Sequence, residues 1–289
     1  ACEDVYGETG PDTLISSSYN PVGAKVETVD GGFKLSGRWG WSSGSLHCDW
    51  VLLGGLIFDQ GKENIHYRTF LVPKPDYVIE DTWFPMGLHS TGSNDIVIDE
   101  PCFVPTYRTH HQMDGFNGVH PQTSPMYNIP WAQTFIRVVC SAAIGGVKHA
   151  LQLFIDNAQG SSTDVTRLAS DPDVTRRVAE VANMIDETEV VLFRNFDKMM
   201  EQVENGEEIP LIDRIKYRYQ ASLVIEKMIK AMDMLFDVAG GRSVYEGSPI
   251  QDIWHDVHIA RAHVANNPVS FGRNYGAVLL GGENTDVFL

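Results

Sequence analysis

Short apolar runs dominate the first hundred residues of the chain, and glycine, proline or aspartate separates one run from the next. Runs of this length, rich in β-branched residues and bounded by turn residues, are typical of β-strands. The pattern predicts strands over Ala24 to Val29, Gly32 to Gly37, Trp50 to Phe58, His66 to Val72, Tyr77 to Ile79 and Asp95 to Phe103. We therefore expect an antiparallel β domain in this part of the chain.

The spacing of the apolar residues changes to a helical period after Pro130. Apolar residues between Phe135 and Phe154 recur every 3.6 residues on a wide face, which predicts a well-buried helix. A second helix is predicted to begin with Asp171 as N-cap and Pro172 at the first helical position, and to continue to Asn205-Gly206.

Two further helices are predicted in the last third of the chain. One follows Pro210 and stops at Gly240-Gly241, a pair of residues that ends helices readily. The other begins after Pro249 and is expected to carry Ile253, Val257, Ala260 and Val264.

Strands that precede long helices indicate an α+β fold. We expect an antiparallel β-barrel as a middle domain over residues 1–120 and a C-terminal four-helix bundle over residues 121–289. The predicted helices are too long and too apolar for one chain to cover. Burial against copies of the same chain therefore predicts a homotetramer, or at least a dimer.

Charge and cysteine usage narrow the class of protein. The chain has 22 Lys and Arg against 38 Asp and Glu, a formal net charge of -16, so nucleic acid and anionic membranes are poor partners. No apolar run reaches the roughly 18 residues of a membrane span. The cysteines are far apart and show no metal-ligand spacing, which predicts reduced thiols, no metal site and a cytoplasmic location.

An aromatic-rich turn follows the second predicted strand. Residues Gly31–Gly44 read GGFKLSGRWGWSSG. Because alternate strand residues share a face, Trp41 and Ser43 are expected to point the same way, one offering a ring for stacking and the other a hydroxyl. The alternative is an ordinary strand of a barrel that happens to be rich in Trp and Ser.

Two other stretches share this mixture of glycine and polar residues. Residues Met86–Asp99 read MGLHSTGSNDIVID and lead to Val104-Pro105. Gly240-Gly241 is followed by PIQDIWHD over Pro249–Asp256.

Together the three stretches resemble the acyl-CoA dehydrogenase superfamily, with His89 and His255 at positions where the family usually carries Arg. The resemblance implies that Trp41 and Ser43 lie against a flavin ring and that Gly44 belongs to the same turn. It implies that Thr91, Gly92 and Ser93 offer donors to a flavin phosphate, although a plain polar turn is the alternative. Gly240 and Gly241 match the family's Gly-Gly turn and are also assigned to the cofactor.

The superfamily divides by chemistry shortly after the third stretch. Straight-chain dehydrogenases place a Glu base there, whereas residues 257–267 of this chain contain no carboxylate. The pattern resembles instead the oxygenases of the p-hydroxyphenylacetate hydroxylase and seco-steroid phenol hydroxylase type. This resemblance assigns a catalytic role to His263 and a substrate-side role to Ser18, with Ser17 as the second choice. We also expect that the family's N-terminal helical domain is either absent from this protein or lies outside this sequence.

The resemblance implies a two-component monooxygenase. A separate NAD(P)H:flavin reductase would deliver reduced flavin, FADH2 or FMNH2, which would react with O2 to form a C4a-hydroperoxide that hydroxylates a small aromatic substrate. His263 would hydrogen-bond the peroxide, Ser43 would hold the flavin N5 edge, and Ser18 would orient the phenol.

Two other functions remain open on the sequence alone. An acyl-CoA dehydrogenase would need its base from another helix, for which Glu180, Glu187 and Glu189 are candidates. A non-catalytic scaffold subunit of the same fold is the second alternative. His110, His111 and His120 are expected in a solvated loop.

Overall fold

The computed structural model describes residues 1–7, 10–58, 65–111, 124–159, 168–286 and 289, which divide into two units. The first unit comprises Ala1–Pro85 and His89–Asn117. The second comprises Met86–Leu88 and Gly118–Leu289. An α+β content is confirmed, because the first unit carries the strands and the second carries the long helices.

The first unit contains two sheets and a short helix α1 (Cys2–Tyr6). In the described residues one sheet has the order β1-β4-β5-β8 and the other β2-β3-β7-β6. The strands are β1 (Ile15–Ser18), β2 (Ala24–Val29), β3 (Gly32–Ser42), β4 (Trp50–Phe58), β5 (Ile65–Pro73), β6 (Val78–Glu80), β7 (Asn94–Pro105) and β8 (Thr109–His111).

The sheets depart from the predicted antiparallel barrel in one respect. β1 pairs with β4 in parallel, because the chain between them crosses to the other sheet and forms β2 and β3 there before it returns. The described strands form two separate four-stranded sheets, and closure into a barrel stays a prediction.

Side chains from both sheets form the core of the first unit. The indole of Trp39 on β3 is fully buried and its Nε1–H donates to the Gly54 oxygen on β4, 2.7 Å away. Phe33 and Phe70 make an edge-to-face contact between the same two sheets. A buried indole N–H without a partner costs about 1–3 kcal/mol, so the Trp39 bond fixes both the position and the orientation of the ring.

The second unit is helical. Its helices are α2 (Trp131–Gln159), α3 (Pro172–Glu204), α4 (Leu211–Ser222), α5 (Val224–Phe236), α6 (Pro249–Ala260) and α7 (Pro268–Leu279). The predicted start of α3 is confirmed, since the Asp171 carboxylate accepts hydrogen bonds from the N–H groups of Asp173 and Val174.

Three helix predictions need correction. The predicted third helix is interrupted at Leu223, next to Ser222, whose hydroxyl bonds to the Tyr219 carbonyl and competes with the helical ladder. The fourth ends at Ala260 and does not reach Val264. α7 was not predicted, because Gly272 and Gly276 weaken its helical signal.

Helix α2 is long and apolar enough to cross a membrane by length and composition, although no uninterrupted apolar run of that length was found in the sequence. Its buried residues Ile136, Ile144 and Val147 pack in one core with residues of α3, α5 and α6. A core helix passes the same test, so composition alone is weak evidence for a membrane span.

The tripeptide Met86–Leu88 packs against α6 within the second unit. The Leu88 N–H donates to Asp256 Oδ1 at 2.5 Å, and Leu88 adopts a left-handed φ of 58°. A Cβ on Gly87 would lie 2.6 Å from the backbone carbon and oxygen of His255. Two of the sequence motifs are therefore in direct contact here.

We expect Gly87→Ala to lower the free energy of unfolding by about 1–3 kcal/mol, because the methyl group would meet immobile backbone. Gly145→Ala is the matched control: Gly145 is exposed on α2 and a Cβ there meets nothing within 4 Å, so about 1 kcal/mol of stabilisation is expected. Denaturant unfolding of both variants measures the difference. Equal stability of the two would contradict this packing.

Candidate functional site

The end of β3 carries a bulge that turns Trp41 outward. The register passes from Trp39 opposite Ile96 to Ser42 opposite Asn94, so β3 contains one extra residue. Trp41 has a left-handed φ of 64° and its side chain is 66% exposed. Without the bulge, alternation would place Trp41 on the same buried face as Trp39.

Ser43 lies in the turn after β3 and is exposed like Trp41, with buried Ser42 between them. The common face of Trp41 and Ser43 stays a prediction, because a left-handed residue and a turn replace regular alternation here. The Ser43 N–H donates to the Trp41 oxygen at 3.1 Å, which closes a tight turn. A large exposed ring held by a left-handed backbone next to a hydroxyl suits a flat ligand with a polar edge.

The second glycine-rich motif meets this turn. Ser43 Oγ lies 2.7 Å from Ser93 Oγ, and Ser93 Oγ lies 2.7 Å from Thr91 Oγ1. The Gly44 N–H donates to the Thr91 oxygen at 2.8 Å. Two segments that lie about fifty residues apart in the sequence thus form one cluster in the first unit.

The contacts of Thr91, Gly92 and Ser93 differ from those expected of a phosphate-binding nest. The Gly92 N–H donates to the His89 oxygen at 3.1 Å, and Ser93 is only 5% exposed. These donors already have partners within the chain. Their assignment to the cofactor stays a prediction, and their contacts point to a role in shaping the Ser43 turn.

Ser18 is buried on β1, where its hydroxyl donates to the Gly40 oxygen at 2.6 Å. Gly40 belongs to the bulge, where the regular ladder is interrupted, and Ser18 provides a partner for its carbonyl. Ser17 alternates with Ser18 and is only half-buried. With its proton engaged, the Ser18 oxygen keeps lone pairs with which to accept a hydrogen bond.

In the second unit, His263 lies beyond the end of α6 rather than on it. The Asn266 side chain donates to the Ala260 oxygen at 2.8 Å, which satisfies a terminal carbonyl and helps to end the helix. His263 is the N-cap of the short 3-10 turn Val264–Asn266, and its Nδ1 accepts from the Ala265 N–H at 3.1 Å.

This hydrogen bond determines which nitrogen of the neutral imidazole carries the proton. Since Nδ1 accepts, a neutral ring carries its proton on Nε2 and presents an N–H donor there. The His263 side chain is exposed, yet desolvation by the surrounding protein lowers its pKa from 6.5. The ring of Phe135 lies 5.8 Å from the imidazole.

Gly240 and Gly241 lie on an exposed turn, and a Cβ on either would meet nothing within 4 Å. Gly240 has φ 77°, which requires the glycine there. Gly241 has neither a left-handed φ nor a close neighbour, so contacts within the described chain do not explain it.

The sequence did not single out a polar network on α6. Asp233 Oδ1 accepts from Trp254 Nε1 at 2.8 Å and lies 3.2 Å from His258 Nε2. The i,i+4 spacing of Trp254 and His258, whose rings stack at 3.9 Å, is the signal that would have found it.

Two other histidines were placed wrongly. His110 and His111 belong to β8 and pair with Thr69 and Arg68 of β5, so they are not in a loop. The turn residues near them along the chain gave no strand signal. Pairing with β5 nevertheless stabilises a short strand at these residues. His120 lies outside the described residues.

The carboxylates suggested for a dehydrogenase have other partners on α3. Glu180 pairs with Arg176 at 2.6 Å, Glu189 pairs with Lys148 at 2.8 Å, and exposed Glu187 accepts from Asn183. Contacts of this kind are typical of a solvated helix surface.

We expect protonation of His263 to destabilise the second unit. Because its folded pKa lies below the unfolded value of 6.5, the unfolded state binds more protons, and stability falls as the pH drops below about 6.5. His263→Gln should flatten this part of the pH dependence. Thermal unfolding of both proteins from pH 5 to pH 8 measures it, and parallel curves would contradict the expectation.

Comparison with known proteins places these features in a family. The model of the acyl-CoA dehydrogenase C-terminal domain matches residues 137–268. The oxygenase subunit HsaA of a flavin-dependent monooxygenase from Rhodococcus jostii is 33% identical over 100% of this chain and 76% of the relative. The oxygenase component of an FADH(2)-dependent resorcinol hydroxylase from a Rhizobium species is 30% identical over 96% of this chain and 71% of its own length.

A solved structure agrees with the sequence comparisons. The crystal structure of 3-HSA hydroxylase from a Rhodococcus species superposes with a TM-score of 0.92 at 32% identity, covering 99% of this chain and 74% of that one. Identity at this level over three quarters of a relative's length establishes kinship. This chain therefore belongs to the family of oxygenase components of two-component flavin-dependent monooxygenases, which have an acyl-CoA dehydrogenase-like fold.

Proposed function

We propose that this chain uses reduced flavin, FADH2 or FMNH2, together with O2 to hydroxylate an aromatic, phenolic substrate. A separate NAD(P)H:flavin reductase supplies the flavin. The names of the relatives support this proposal, since the Rhizobium protein is an FADH(2)-dependent resorcinol hydroxylase. The observation that carries it is the presence of an exposed Trp41 ring and an exposed Ser43 hydroxyl two residues apart, at the bulged end of β3.

Reduced flavin, when bound, supplies the two electrons with which one oxygen atom enters the substrate and the other leaves as water. The residues of the chain supply position and polarity. Trp41 offers a face to the flat ring system, and Ser43 offers a hydroxyl to its N5 edge. His263 presents its Nε2–H as a donor, in an orientation that the bond from the Ala265 N–H to Nδ1 maintains.

Ser18 is proposed to orient the substrate phenol, with Ser17 as the second choice. Because Ser18 donates to the Gly40 oxygen, it is restricted to accepting a hydrogen bond, as from a phenol O–H. Gly44, Thr91, Gly92, Gly240 and Gly241 complete the proposed cofactor-binding set, to which buried Ser93 belongs only through its contact with Ser43.

The finer features of fold and assembly belong to the same proposal. We propose that the two sheets close into a barrel over residues 1–120. The helices beyond residue 121 would form a four-helix bundle that assembles into a homotetramer in the cytoplasm. Exposed apolar side chains on α2 and α3, namely Val138, Val190 and Phe193, support burial against copies of the chain.

The direct test is anaerobic titration of the purified protein with FADH2 and FMNH2, followed by mixing with O2 and a panel of phenols. We expect tighter binding of reduced than of oxidised flavin, and a hydroxylated product that requires the reduced form. A tightly bound yellow flavin with acyl-CoA desaturation, or no binding of reduced flavin, would overturn the proposal.

His263→Ala is expected to lower hydroxylated product by about 10²-fold, a typical loss for a positioned proton donor, and to raise released H2O2. Binding of reduced flavin should change little. His149→Ala, an exposed histidine of α2, is the matched control. Product and peroxide are measured in the same reaction, and unchanged coupling in His263→Ala would show that the assigned role is wrong.

A further inference from the structure

Three hydroxyl groups form a short chain behind the Trp41 turn. Thr91 Oγ1, Ser93 Oγ and Ser43 Oγ follow one another at 2.7 Å for each step. The two ends differ in exposure from the middle: Ser43 is exposed, whereas Ser93 is 5% exposed. Ser93 therefore reaches Ser43 from within the protein, on the side away from solvent.

Backbone contacts hold the two turns that carry this hydroxyl chain. The bond from the Gly44 N–H to the Thr91 oxygen ties the two turns together at 2.8 Å, and Gly92 turns with a left-handed φ of 48°. Ser42 pairs with Asn94 in the adjacent ladder position. These contacts do not determine which hydroxyl of each pair donates its proton.

The direction of these hydrogen bonds decides whether the exposed side of Ser43 offers a hydrogen-bond donor or an acceptor. A hydroxyl has one proton, so Ser93 donates to one neighbour and accepts from the other. If Ser93 donates to Ser43, the Ser43 proton points outward as a donor. If Ser43 donates to Ser93, the exposed side of Ser43 carries lone pairs and accepts.

We infer that Ser93 is a positioning residue of the oxygenase, acting through Ser43 without touching the flavin itself. The inference rests on the proposed placement of Ser43 at the flavin N5 edge. N5 carries a hydrogen in reduced flavin and is an acceptor in oxidised flavin. The hydroxyl chain meets both needs by reversing its protons, with no movement of heavy atoms, and Ser93 is the group that makes this reversal possible.

This assignment differs from a phosphate-binding role for Ser93. A phosphate donor has to face the ligand, whereas Ser93 is buried and both of its hydroxyl neighbours are protein groups. Loss of its oxygen leaves the Ser43 hydroxyl without its inner partner and free to rotate.

The test is a double-mutant cycle of Ser43→Ala, Ser93→Ala and the double variant. Dissociation constants for reduced and oxidised FAD, measured anaerobically, are the readout. We expect Ser93→Ala to weaken binding of reduced FAD roughly three- to tenfold, the range for one lost net hydrogen bond. The double variant should bind no more weakly than Ser43→Ala, because Ser93 acts only through Ser43.

Ser16→Ala is the matched control. Ser16 is a buried serine whose Oγ lies 3.2 Å from Ser42 Oγ, in a hydroxyl pair separate from the Ser43 chain. It should lower stability about as much as Ser93→Ala while leaving the dissociation constants unchanged. Thermal unfolding of every variant separates a structural role of Ser93 from a positioning role.

Three results would overturn the inference: unchanged binding in Ser93→Ala, additive losses in the double variant, or a loss that Ser16→Ala reproduces. If wild-type protein binds neither reduced FAD nor reduced FMN, the proposed function fails as well. If wild-type protein binds but Ser43→Ala has no effect, the placement of Ser43 fails. If Ser43→Ala weakens binding and Ser93→Ala does not, the role of Ser93 alone is wrong.

Discussion

One extra residue in β3 determines which side chains at the end of this strand are buried and which are exposed. Between Trp39 and Ser42 the strand gains a residue relative to β7, and the phase of its side chains reverses. Trp39 remains in the core, bonded to the Gly54 oxygen, whereas Trp41 points outward. Ser18 supplies a partner for the Gly40 carbonyl, so the bulge is held from the opposite sheet as well. A β-bulge that re-aims a side chain in this way is a common device near active sites.

The same pairing of β3 with β7 explains why two distant motifs belong together. Their antiparallel register brings the turn after Ser42 beside the residues that precede Asn94. Ser93 then lies at hydrogen-bond distance from Ser43, and Thr91 lies at hydrogen-bond distance from Ser93. Ser43, Thr91 and Ser93 from the two motifs therefore form one cluster.

The second unit has a comparable arrangement around α6. Leu88 and Gly87 rest on the helix through Asp256 and the His255 backbone, and Trp254 and His258 share Asp233. Beyond the helix end, a capping bond orients the His263 ring and selects the nitrogen that carries its proton. In both units a candidate site residue is thus held by hydrogen bonds to groups of its own unit.

The sequence by itself determined the change from strands to long helices, the cap of α3, and the residue types of all three motifs. These are local properties, since turn residues, helix caps and apolar spacing act over a few positions. It also predicted by regular alternation that Trp41 and Ser43 share a face, and the bulge removes that alternation. Register shifts depend on the partner strand, and no pattern within β3 reveals one.

Tertiary structure alone decided the rest. The parallel pairing of β1 with β4 and the short strand at His110 both depend on partners that are distant in the sequence. The burial of Ser93 and its bond to Ser43 likewise require strands that are far apart in sequence. Local propensity cannot encode such contacts, because their free energy exists only once the two segments have been brought together.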